Sequence, residues 1–61
     1  MAIAELPKDP MMLLSFVNTR LRDDAIDLDS FCVQFQTDRS ALEQKLGTID
    51  YKYDKNLNRF I

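Results

Sequence analysis

Apolar residues recur at helical spacing in the middle of the chain. Leu28, Phe31, Cys32 and Phe35 form one narrow stripe, the signature of a helix with one buried face. Asp27 stands before it as an N-cap, where a carboxylate accepts from the free N–H groups of the first turn. Gln36, Thr37 and Asp38 break the stripe with residues that favour caps and turns. A second stripe, centred on Leu42 and Leu46 with Ala41 and Lys45 beside it, predicts another helix. Asp38 or Thr37 would cap it, and Gly47 would end it in a left-handed conformation. Two helices joined by so short a turn have helix-turn-helix spacing, and an ordinary helical hairpin has the same spacing.

The flanks have different periods. Residues 1–8 read as an arm from which Ile3 and Leu6 pack down, and residues 9–61 as one domain. Asp9 and Pro10 mark a helix start, because proline at the first helical position gives up only an N–H that had no partner. That helix should run to about Arg22. Leu13, Leu14, Phe16, Val17 and Leu21 cover a wide arc, with Met12 at its edge, Met11 on the far side and Arg20 inside it. An arc this broad implies more than one neighbour, and the Arg20 stem can pack while its head reaches water. Asn18, with Arg22 and Asp23, is expected to form a hydrogen-bonded corner that fixes this helix to the following loop. At the other end Ile49, Tyr51 and Tyr53 alternate with Asp50 and Lys52, as in a half-buried strand. Residues 54–58 form a turn with Asn58 left-handed, and residues 59–61 return as the partner strand. Phe60, Leu57 and the tyrosines should anchor this hairpin, since an isolated hairpin is marginal in water.

The expected fold is therefore mostly α: three short helices, a helix-turn-helix-like pair among them, and a C-terminal β-hairpin. Its core should contain Leu13, Val17, Leu21, Leu28, Phe31, Phe35, Leu42, Leu46, Ile49 and Phe60. With 61 residues that core is thin, because so short a chain buries only about 60% of its unfolded surface.

Composition narrows the chemistry. The single cysteine, Cys32, sits on an apolar stripe, and no histidine exists to activate it. A lone buried thiol suits a reducing, cytoplasmic setting. No apolar run is long enough to span a bilayer, and residues 11–17 lack the flanks of a signal peptide. Asp23, Asp24, Asp27 and Asp29 lack the spacing of a calcium loop; capping and a solvated loop explain them. Without a nucleophile–base pair, a phosphate-cradling glycine loop or a metal constellation, the chain reads as non-enzymatic. No catalytic residue, cofactor, metal or small-molecule substrate is expected.

A binding module remains, and two kinds of partner suit it. Net charge is −2, but residues 1–36 carry six acids against three bases, and residues 37–61 four acids against five bases. In a winged helix-turn-helix protein the second helix meets base edges and the hairpin meets phosphates. Candidate nucleic-acid contacts are then Arg39, Ser40, Gln44 and Lys45 on the helix and Lys52, Lys55 and Arg59 on the hairpin. Glu43 would oppose phosphates, and a monomer this acidic would need to dimerise for useful affinity. The alternative is a protein-interaction adaptor that uses the apolar face of helix 1, with Met11 and Met12 as candidate contacts.

Across nearly its full length the chain resembles the bacterial family known as domain of unknown function 4250. The residues that carry the resemblance are Leu6-Pro7-Lys8-Asp9-Pro10, Met12 to Asn18, Arg20 to Asp23, Asp38-Arg39, Leu42 to Leu46, Tyr51, Tyr53-Asp54, Leu57-Asn58 and Phe60. The resemblance implies a free-standing small bacterial protein and no assigned activity, so no site residues carry over. Gln36 departs from the glycine or other turn-former expected in the turn.

Overall fold

The computed structural model describes residues 6–61; Ile3 of the arm lies outside them. Three helices are each started by an aspartate. Helix α1 is Pro10–Asp24, with the Asp9 carboxylate accepting from the Met12 N–H at 3.0 Å. Helix α2 is Leu28–Gln34, capped by Asp27 through the Ser30 N–H at 2.8 Å. Helix α3 is Arg39–Gly47, capped by Asp38 through the Ala41 N–H at 3.0 Å. The strands β1 (Tyr53–Asp54) and β2 (Arg59–Phe60) pair antiparallel, Tyr53 opposite Phe60 and Asp54 opposite Arg59. Lys52 and Ile61 extend the ladder by exchanging two backbone hydrogen bonds of 2.9 Å each. The regular strand is shorter than the expected residues 49–53, because residues 48–50 continue the turn that ends α3.

How the helices stop departs most from expectation. Gly47 is the last helical residue and does not have a positive φ. The left-handed residue is Asp50, at φ 65°. Around it the Tyr51 N–H donates to the Leu46 carbonyl at 3.1 Å and the Asp50 N–H to the Gly47 carbonyl at 3.0 Å, the paired bonds of a Schellman motif. Helix α2 closes in the same way, with Gln36 at φ 52°. There Thr37 donates to the Cys32 carbonyl at 2.9 Å and Gln36 to the Val33 carbonyl at 3.2 Å. Thus Gln36 fills the left-handed slot that glycine would occupy, and Ala25 does the same after α1 at φ 53°.

The core is Leu13, Leu14, Val17, Leu21, Leu28, Phe31, Cys32, Leu42, Leu46 and Phe60. Phe35 and Ile49, expected inside, pack against it half-buried, as do Leu6, Phe16, Ile26, Tyr51 and Tyr53. Leu57 is no anchor: it sits at the turn and is 54% exposed. Helix α1 packs on α2, α3 and β2, which accounts for the buried part of its apolar arc, Leu13, Leu14, Val17 and Leu21.

Two asparagines fasten the hairpin. The Asn18 side chain donates to the Phe60 carbonyl at 3.1 Å and accepts from the Phe60 N–H at 2.8 Å. It therefore ties α1 to β2 rather than to the loop, and among the described residues Arg22 and Asp23 pair only with each other. Asn58, left-handed at φ 53°, donates to the Ile26 carbonyl at 2.8 Å and accepts from the Tyr53 hydroxyl.

Candidate functional site

The first candidate surface is α3 with the hairpin. Its N-terminal turn is held by Arg39, whose Nη1 donates to Asp29 of α2 at 2.7 Å and whose Nε donates to Glu43 at 3.1 Å. The guanidinium also lies 5.5 Å from the centre of the Tyr53 ring. These hydrogen bonds, Asp29 first and then Glu43, push the Arg39 pKa above its ordinary value. Arg39 is thus a strut between α2, α3 and the hairpin. Around it stand three carboxylates, Asp29, Asp38 and Glu43, which would repel a phosphate at close range. Ser40 and Gln44 are exposed on this face. Lys45 lies apart, in a hollow shared with residues 6–8.

On the hairpin, Tyr53 and Phe60 turn inward with ring centres 5.6 Å apart. Alternation then places Lys52, Asp54, Arg59 and Ile61 on the outer face. Asp54 is occupied, accepting from the N–H groups of Asn56 and Leu57. Among the described residues Lys52, Lys55 and Arg59 form no ion pair. Lys55 shares a small hollow with Arg39, Asp27 and Asp29. Of the seven proposed cations and polar groups, Arg39 alone has its charge neutralised, by Asp29 and Glu43; Lys45 of the helix, like the three hairpin cations, forms no ion pair among the described residues.

The second candidate surface is the side of α1 turned toward α2. Met12, Phe16 and Arg20 follow one another at i, i+4 spacing and so lie along one ridge. Met12 is 63% exposed and Phe16 is half-buried. Phe16 meets Phe35 edge-on at 5.4 Å, and Phe35 stacks on Phe31 at 4.6 Å. The Arg20 guanidinium closes the ridge, 5.9 Å from the Phe16 ring and 5.8 Å from the Phe35 ring. Its Nε is buried, has no hydrogen-bond partner among the described residues, and is 3.7 Å from the Asp24 carboxylate. Met11, 55% exposed, is one residue and about 100° around the helix from this ridge.

A family model described as Domain of unknown function (DUF4250) matches residues 7–60. The chain belongs to that family. Neither a curated protein nor a solved structure matches it. The description carries no activity, so function rests on the two surfaces.

Sequence reasoning named Met12 but missed the ridge it begins. The i, i+4 spacing of Phe16 and Arg20 was a signal for part of it. The part supplied by Phe35 had none, because that residue reads as core on the wheel of its own helix.

Proposed function

We propose that this DUF4250 domain is a non-enzymatic binding module whose partner is another protein, held on the Met12–Phe16–Phe35 ridge. One observation carries the reading: the apolar arc of α1 is wider than the elements that cover it. Leu13, Leu14, Val17 and Leu21 are buried, while Phe16 is only half-covered and Met12 stands in solvent. The half-covered rings supply rigid apolar area at low entropic cost, and an arginine beside them adds a polar handle. A cytoplasmic location suits Cys32, a buried thiol whose pKa is raised by burial first and by Asp29 next. No helix among the described residues is long and apolar enough to cross a membrane.

The test is a photo-cross-linking residue placed at position 12, with position 33 as control, since Val33 is exposed but off the ridge. A single polypeptide captured from position 12 and not from 33, and bound again when purified, supports the reading; a product of twice the chain mass would make the partner a second copy. Equal capture from both positions contradicts it.

Nucleic-acid binding of winged helix-turn-helix type is the second reading, favoured by Lys52, Lys55 and Arg59, which form no ion pair among the described residues. Amide shifts with a mixed-sequence duplex should then cluster on residues 52–59 and vanish near 200 mM salt, about where phosphate-driven binding collapses. No shifts at low salt would remove general duplex binding.

A further inference from the structure

Opposite the ridge, α1 and the hairpin turn enclose a cleft of about 440 Å³, a size within the range of ligand sites. Leu21, 1% exposed, lies beneath it, and its apolar rim is Leu57, 54% exposed. Arg22 and Arg59 both line it. Leu57 does nothing for the core, yet its position is fixed. The Asp54 carboxylate accepts from the Leu57 N–H at 3.0 Å, and Asn58 next to it is bonded to Ile26 and Tyr53. The opposite wall is equally fixed, because Asn18 is bonded to Phe60 through both its amide nitrogen and its carbonyl oxygen. A preformed cleft loses little entropy on binding.

The charges around it are available. Arg59 forms no ion pair among the described residues, and Arg22 pairs only with its neighbour Asp23, both side chains more than half exposed. An ion pair that open contributes little and exchanges readily. Guanidinium groups suit carboxylate and phosphate oxygens. The apolar rim decides between them: a nucleic-acid backbone presents no aliphatic group to Leu57, whereas an acidic residue beside an aliphatic one in a polypeptide presents both.

We propose that this cleft receives an acidic–aliphatic segment of a partner protein, its carboxylate held by Arg22 and Arg59 and its aliphatic side chain covered by Leu57. The proposal rests on the protein-binding reading for the class of partner but uses a different surface.

The experiment is an amide-shift titration of the full chain with three probes: a capped tripeptide of glutamate between two leucines, its glutamine analogue, and inorganic phosphate. The glutamate peptide should shift residues 19, 22, 25 and 57–59 with a Kd of about 1 mM, a weak affinity suited to so small a probe. The glutamine peptide should bind at least fivefold more weakly, and so should the glutamate peptide to Arg59→Gln and to Leu57→Ala. Both positions are exposed, and an unchanged amide spectrum without ligand shows that the variants fold. Three outcomes overturn the proposal: no localised shift up to about 10 mM peptide, tenfold above that Kd; equal binding of the two peptides; or phosphate binding there as tightly as the glutamate peptide. Cross-linking from position 12 does not involve Arg59, so failure here and failure of the ridge reading are separable.

Discussion

Replacing Asn18 by alanine should unfasten the hairpin. The side chain makes two hydrogen bonds to one residue, donating to the Phe60 carbonyl and accepting from the Phe60 N–H, across 42 positions of sequence. Phe60 is 2% exposed and is the largest buried residue the hairpin contributes. Alanine leaves both backbone groups without a partner. An unsatisfied buried group costs about 1–3 kcal/mol. Both bonds are only partly buried, so the lower half of that range applies to each, giving about 2–4 kcal/mol for the two. Alanine's better helix propensity returns about 0.5 kcal/mol. A domain of this length has about 3–9 kcal/mol in all. The variant should therefore lose about 1.5–3.5 kcal/mol net, a sixth or more of its stability, and melt roughly 6–28 °C lower, at about 4–8 °C per kcal/mol. Urea and thermal unfolding followed by circular dichroism measure the loss, with the exposed neighbour Thr19→Ala as control, expected within about 0.5 kcal/mol of wild type. Hydrogen exchange should also show the Phe60 amide losing protection. A loss below about 0.5 kcal/mol, or a Phe60 amide as protected as before, would refute the clamp, because even one intact bond of this kind is worth more.

Further outcomes follow from the helix ends and caps. Gly47→Ala should stabilise the protein by about 0.5–1 kcal/mol in urea unfolding, because Gly47 is helical without a positive φ and an added Cβ meets nothing within 4 Å; destabilisation would contradict that backbone. Gln36→Gly should also stabilise by about 0.5–1 kcal/mol, since the exposed Gln36 is held at φ 52°, a conformation that costs side-chain-bearing residues about 1–2 kcal/mol; an unchanged urea midpoint would contradict it. Asp27 accepts a hydrogen bond from the Ser30 N–H, which holds its carboxyl below the ordinary carboxylate value. A lowered folded-state pKa stabilises fully above the unfolded value near pH 4, and that contribution is lost as pH falls through the folded value. Asp27→Asn keeps a cap but no titrating group, so its urea midpoint should fall less between about pH 6 and pH 2.5 than the wild-type midpoint; an equal fall would contradict the coupling.

The helix starts were legible because each is written locally: an aspartate followed by a free N–H three residues on. The helix ends were not. Glycine is the usual sign of a left-handed residue, and here Ala25, Gln36, Asp50 and Asn58 take that conformation while Gly47 does not. Only Asn58 announced itself, because asparagine tolerates that region better than alanine or glutamine does. Asn18 was legible as a polar residue that packing did not require, but its partner was not, since β2 lies 42 residues away in sequence. The candidate surfaces suffered in the same way. On its own helix Arg39 has only Glu43 one turn on, and the approach of Asp29 from α2 is what reveals it as a strut. Phe35 reads as core, and only the placement of α1 leaves its ring half-covered. The cleft beside Arg22 and Arg59 joins two distant segments and leaves no local trace.

The most direct test of the protein-binding account is the affinity of the partner captured at position 12, measured with purified proteins for wild type and Met12→Asp, each at about 50 and 500 mM salt. Burying a methionine side chain contributes about 1.5–3 kcal/mol. Wild type should bind at least tenfold tighter than the variant, with an affinity that changes little with salt. Equal affinities, or wild-type binding that collapses at high salt, would contradict the account.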